Sequence, residues 1–340
     1  MTIISALFFS VLAGILNGSF ATPTKHIQIN PAKMWLNFAF WGFIIIPLLT
    51  FLIVDPAFFG LLLQVPSMAI AIPLIAGLIW GIGMVCLSVA LKHIGIGVAF
   101  VINIGIGTAG GTLIPLIFFP QQQLSTGFVS LVIIAVIFLL VGVLLAGLAA
   151  QQREKEALTN TTNKATKVAL LAILITIFAG ISSALQGASY AYALSAYASL
   201  TNEVNSSFIL AILPWFFVFV GGFIPYVIYF AMLNAKTQSQ TKAVSTQKMT
   251  LKDQLLIIAM AVMFFESTVC YAKASQILGA LGPIIAWPLF MTFIILMSNF
   301  WGLKHGEWRN ASRAAGIKII SAIILLIVAV ITLVGASLFR

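Results

Sequence analysis

Glu266 and Lys273 stand seven residues apart in the otherwise apolar stretch AMAVMFFESTVCYAKASQ (259–276). Seven residues are nearly two turns of helix, so both charges lie on similar faces, about 10 Å apart along the axis and too far for a direct ion pair. Burying a charge in hydrocarbon is costly, and an ionisable group at that depth marks an ion pathway or a proton relay. Glu266 is the acid so placed, because Asp55, Glu154, Glu156, Glu203, Asp253 and Glu307 fall in loops or at the ends of apolar runs. It stands about twelve residues into its run, roughly 18 Å from the nearer end, close to the middle of a bilayer. Its expected role is to bind and release a proton; the competing role is a polar packing residue bonded to a neighbouring helix. Lys273 lies nearer the other end, where its stem can snorkel.

Other polar or aromatic residues stand at mid-span. Ser267 and Tyr271 follow Glu266 and offer hydroxyls suited to a polyol. In NIGIGTAGGTLIP, Asn103 brings an amide with four hydrogen-bonding positions, and Gly107, Gly110 and Gly111 beside it either leave room for a ligand or let a helix approach closely. Gln186 and Tyr190 are four apart on one face. Trp80 in GLIWGIG serves as a packing residue or as a stacking wall for an apolar ligand face, and Trp287, next to Pro288, marks a kink where a helix lines a cavity. Together these residues are expected to line a site for a small polar metabolite, with Glu266 carrying the proton.

The elements that must position them are membrane helices. Of the 340 residues 61% are hydrophobic and 7% charged, and mean hydropathy is +1.15, values that a water-facing surface does not sustain. Ten apolar runs long enough to span are expected near residues 3–22, 35–54, 69–91, 97–119, 127–149, 167–196, 207–233, 254–275, 282–302 and 315–338. Of the 17 basic residues, all but Lys273 and Arg340 lie in or beside the loops after the first, third, fifth, seventh and ninth runs. The positive-inside rule then places those loops in the cytoplasm and both termini outside, in a bacterial inner membrane. Trp35, Trp301 and Trp308 fit an aromatic belt at the cytoplasmic face. The polar stretch 151–166 divides the chain into an N-terminal five-helix half (1–150) and a C-terminal half (167–340). VCLSVALKHIG (85–95) and VCYAKASQILG (269–279) match in spacing, as do AGI at 13–15 and at 179–181. Both matches pair a helix with one five positions later, which crosses in the opposite direction. The fold expected is therefore all-α, with two inverted five-helix repeats, an architecture of secondary transporters.

Several functions are excluded. The net charge of +10 is spread in short clusters, which argues for topology signals and against a nucleic-acid surface. Cys86 and Cys270 sit in apolar runs and suggest no disulfide framework. His26, His93 and His305 lie in loops or helix ends, so neither an intramembrane metal cluster nor a Ser/His pair is expected, and no GxxxxGK[ST] segment is present for ATP. No cofactor and no enzymatic activity are expected.

The run GLIWGIGMVCLSVALKHIGIGVAFVINIGIGTAGGTLIPLI (77–117) resembles the third and fourth helices of the L-rhamnose/proton symporter family in its WGIG, its basic residue before a glycine turn and its glycine-rich GT segment. AGISSALQGASYAYA (179–193), LPWFFVFVGGF (213–223) and WPLFMTFIILMSNFWGLKHGEW (287–308) are similar to later helices of that family. The resemblance implies a ten-helix member of the drug/metabolite transporter superfamily that imports a sugar with a proton. This chain departs from the pattern in LGALGPIIA (278–286), which lacks the family's charge and aromatic rings, and in carrying Glu266 near a family glutamine. The expected substrate is accordingly a rhamnose-like sugar or a similar small polar metabolite; an exporter of amphipathic metabolites is the alternative.

Overall fold

A computed structural model describes residues 3–54, 56, 58–118, 124–157, 166–197, 200, 207–240, 248–309 and 311–339. Every regular element among them is helical: α1 (Ile3–Ser19), α2 (Pro31–Phe40), α3 (Ile46–Val54), α4 (Phe58–Leu62), α5 (Ser67–Phe118), α6 (Thr126–Ala157), α7 (Thr166–Tyr197), α8 (Ser207–Gln240), α9 (Leu251–Leu278), α10 (Gly282–Lys304) and α11 (Arg313–Ala336). A π-helical turn at Trp41–Ile45 joins α2 to α3, so the pair forms one apolar rod. Nine described stretches are long and apolar enough to cross a membrane, and the 54-residue stretch Leu251–Lys304 contains both α9 and α10. Ile53, Leu171, Ile228 and Ile331 are each more than half exposed, as lipid contact allows. The chain is a multi-pass membrane protein. Of the expected linker, residues 151–157 continue α6 as helix, and the rest lies outside the described residues except Thr166, which opens α7.

Caps set several boundaries. The Thr250 side chain accepts from the Asp253 backbone N–H while Asp253 accepts from the Thr250 N–H, closing the first turn of α9. Asn30 and Ser312 cap α2 and α11. The sharp reversals belong to glycine. Gly95 adopts φ 77°, ψ 160° and splits α5 into two arms; Gly83 and Gly107, each twelve residues from it, both press against 180–183 of α7, so the chain doubles back at Gly95. Gly279, at φ 60°, ends α9 and opens a short 3-10 turn into α10.

Lipid tails are as apolar as leucine, so helices here associate through close packing of small residues. A side chain at Gly77 or Gly81 would strike the α8 backbone at Val218 or Gly222, and one at Gly14 would strike Phe293. These contacts weld the first arm of α5 to α8, and α1 to α10.

Candidate functional site

α9 carries the polar chemistry on two faces. Glu266 is the 16th of its 28 residues, about 22 Å from the start at 1.5 Å per residue, which keeps it near mid-depth. Its Oε1 lies 3.0 Å from Thr50 Oγ1 of α3, and the same hydroxyl lies 3.0 Å from the Ile46 carbonyl oxygen. A hydroxyl has one hydrogen. When Glu266 is ionised, Thr50 can turn that hydrogen to the carboxylate; when Glu266 is protonated, it can donate to Thr50, which then donates to Ile46. The contact therefore holds in both protonation states, with the hydrogens rearranged. Lys273 donates to Gln276 Oε1 at 2.9 Å and lies 4.7 Å from the Phe208 ring centroid, so its partners are on α9 and α8.

The opposite face of α9 enters an aromatic cluster toward the Gly279 end of the bundle. Tyr190 of α7 stacks on Trp215 of α8 with centroids 5.1 Å apart, and Trp215 lies parallel to Trp287 of α10 at 6.1 Å. Tyr271 of α9 meets Tyr190, Trp215 and Trp287 at 5.1, 5.6 and 5.7 Å. These rings are buried, yet Tyr190 Oη, Tyr271 Oη, Trp215 Nε1 and Ser275 Oγ have no hydrogen-bond partner. Ser275 lies near the Tyr190 phenol without reaching bonding geometry. Leaving such a group dry and unpaired costs about 1–3 kcal/mol; the adjoining Tyr190 and Ser275 hydroxyls relieve part of that for each other, and the cluster as a whole suits a polar guest. Trp287 Nε1 is satisfied, donating to the Gly107 carbonyl at 3.2 Å, and a side chain at Gly111 would collide with the same indole.

The remaining expected residues lie elsewhere. Trp80 packs against Phe43 and Phe219 at 5.8 and 5.9 Å, in an aromatic group that also takes in Phe264 and joins the first cluster where Phe219 stacks on Trp215 at 6.0 Å. Ser267 accepts from Asn17 Nδ2 of α1 at 2.9 Å and donates to the Phe264 carbonyl. Asn103 faces Ser183 at 3.5 Å, and the space above Gly107 and Gly110 is filled by Ser183 and Ala184. Gln186 is buried one turn before Tyr190. The structure thus brings Tyr190, Tyr271 and Trp287 together and sets the other residues around them. Trp215, Ser275 and Thr50 were not foreseen. Pro214-Trp215 carries the same signal as Trp287-Pro288, and Ser275 stands four residues after Tyr271; Thr50 carries no comparable signal. A separate cavity of about 470 Å³ between α5 and α7 is walled mainly by apolar side chains such as Ile72, Ile79, Ile114 and Leu185, with Ser189 and Tyr192 also in its lining.

At the Gly95 end, Glu307 after α10 bridges Lys25 at 3.2 Å and Arg153 of α6 at 2.9 Å, while Arg153 lies 5.0 Å from the Trp308 ring centroid. Partial burial works to raise the Glu307 carboxyl, but the Lys25 hydrogen bond and the charges of Arg153 and Lys25 outweigh it and hold the group below the usual carboxylate range. The hydrogen bonds of Ser312 and Gln152 likewise lower Glu156.

A bundle of membrane helices enclosing unpaired polar groups, with one acid at mid-depth, has the makings of a carrier of small solutes. The sequence matches the L-rhamnose-proton symport protein family over residues 1–338, and the chain belongs to that family. It is 24% identical over 316 residues to the L-rhamnose-proton symporter of Shigella dysenteriae and 23% over 316 to that of Citrobacter koseri, with 90% of each chain covered. It is 27% identical over 245 residues to the one from Klebsiella pneumoniae strain 342, covering 70% of each. The family is one of transporters, not of enzymes.

Proposed function

We propose that this protein takes up a neutral sugar, L-rhamnose or a close relative, together with a proton across a bacterial inner membrane. The observation that carries the sugar half is the aromatic cluster with its four unpaired polar atoms: stacked rings suit the C–H face of a sugar, and hydroxyls and an indole N–H suit its oxygens. Glu266 carries the proton half, with Thr50 as its switching partner. The relatives named for L-rhamnose and proton transport support both. Asn103, Trp80, Gln186 and Ser267 shape the path around the cluster.

We further read the chain as ten crossings in two inverted halves that alternate access to the site. Two observations support this. α9 and α10 divide the longest apolar stretch at Gly279, and the matching segments 85–95 and 269–279 end on Gly95 and Gly279, both at positive φ and both opening a tight reversal. In this reading the Gly95 turn faces inside and the Gly279 turn outside, with both termini external, a sidedness that the distribution of basic residues supports. The test is uptake of labelled L-rhamnose into proteoliposomes under an imposed proton gradient. Uptake that a protonophore abolishes and that alkalinises the outside supports the reading; sugar movement indifferent to the gradient overturns it.

A further inference from the structure

We propose that Trp215 and Ser275 are the specificity-determining pair of the sugar site, with the Trp215 indole N–H reading an acceptor oxygen that cannot be replaced by a donor. The proposal rests on the sugar-transport reading and adds to it the ligand's required pattern of groups. Five buried side-chain polar atoms among the described residues lack a partner, and four belong to this one cluster, from three different helices. Trp215 is 1% exposed; Tyr190, Tyr271 and Ser275 are fully buried. An indole nitrogen only donates, whereas phenols and a serine hydroxyl donate or accept. Trp215 therefore needs an acceptor and gains nothing from a group that only donates; we assign to it the sugar's ring ether oxygen, which can only accept, and leave the hydroxyls, which act in either sense, to the other three. None of the four side chains bears a charge, and burying a carboxylate or ammonium against them would leave it uncompensated. The guest is a neutral polyol with an ether or carbonyl oxygen, not an organic acid or an amine.

Trp215 is held by its neighbouring rings. Tyr190 and Trp287 stack on it with interplanar angles of 27° and 9°, and Trp287 is itself fixed by its bond to Gly107 and the bare surface of Gly111. Ser275 is fixed by Gly282, where a side chain would lie 2.3 Å from the serine carbonyl and hydroxyl oxygens. The rings as they stand are too close to admit a hexose, so the ligand enters by parting the α9–α10 hairpin from α7 and α8.

The experiment combines binding and transport. Tryptophan fluorescence of purified protein is titrated with L-rhamnose, with its carbocyclic analogue, in which CH2 replaces the ring oxygen, and with L-lactate; uptake is then measured in proteoliposomes. Trp215→Phe keeps a stacking ring and removes the N–H, and Ser275→Ala removes the hydroxyl. The expected result is quenching by rhamnose, quenching by the carbocyclic analogue only at about fivefold to tenfold higher concentration, none by L-lactate, and an apparent KM about fivefold to tenfold higher in each variant with kcat and proton coupling kept. The carbocyclic analogue should bind wild type about as weakly as rhamnose binds Trp215→Phe, and lose nothing further in that variant. Unchanged KM in Ser275→Ala together with undiminished preference for the ring oxygen in Trp215→Phe overturns the assignment. Should Trp215→Phe not fold, Ser275→Ala and the analogue comparison on wild type decide alone. Quenching by rhamnose without any transport keeps this subsite and overturns the symport reading; transport without quenching or discrimination does the reverse.

Discussion

Replacing Glu266 by glutamine preserves the shape of the side chain and its contact with Thr50 while removing the exchangeable proton. One charge crossing a 100 mV membrane potential is worth about 2.3 kcal/mol, which for one proton per sugar sets an accumulation ceiling of about 50-fold. Glu266 stands near the middle of α9, so a proton reaching it from one side traverses about half the field. The binding step then carries roughly 1.2 kcal/mol, about a sevenfold change in proton occupancy per 100 mV. In proteoliposomes with an imposed potential, wild type should approach the ceiling, and its apparent proton affinity should shift about sevenfold. Glu266→Gln should only equilibrate its sugar, while sugar-for-sugar counterflow persists. Accumulation by Glu266→Gln near the wild-type ceiling would refute the reasoning, and so would a wild-type proton affinity that ignores the potential.

Thr50→Val removes the hydroxyl that rearranges with Glu266; proton-driven accumulation should fall several-fold while counterflow stays near wild type, measured in the same vesicles. Gly111→Ala would set a methyl 2.2 Å from Trp287 Nε1; the overpacking should cost about 1–3 kcal/mol, read as a lower melting temperature in detergent and as lost uptake. Glu307 titrates below the usual carboxylate range, so the stabilisation from its bridges is complete above about pH 4.3 and is lost as pH falls through its lowered native value. Because the group is 41% exposed, screening leaves roughly 0–1 kcal/mol. Glu307→Gln should lower the melting temperature at neutral pH only slightly, the difference vanishing in 1 M salt and in acid.

The membrane class and the place of Glu266 were legible because both rest on local quantities: charge frequency, run length and distance from a run's end. The close approach at Gly107 and Gly111 was legible for the same reason, since small residues four apart make a groove whatever helix fills it. Which helix fills it was not, and the indole of Trp287 came from 180 residues away. Helical spacing fixes where a side chain points about its own axis but leaves open which neighbour stands there. That is why Asn103, Trp80, Ser267 and Tyr271, all read as facing one cavity, meet different partners, and why Thr50 was invisible: a lone threonine late in an apolar run looks like any other. Trp215 was missed as well, although its proline neighbour repeats the pattern that singled out Trp287.

The reversal at Gly95 bears on how the protein is made. Two long apolar arms joined through a single positive-φ glycine leave almost no polar chain to hold one arm in water while the next is synthesised. During biogenesis the arms must therefore leave the insertion machinery side by side, as one hairpin. A substitution at Gly95 would be felt on the ribosome, as misoriented nascent chain, before it was felt in transport.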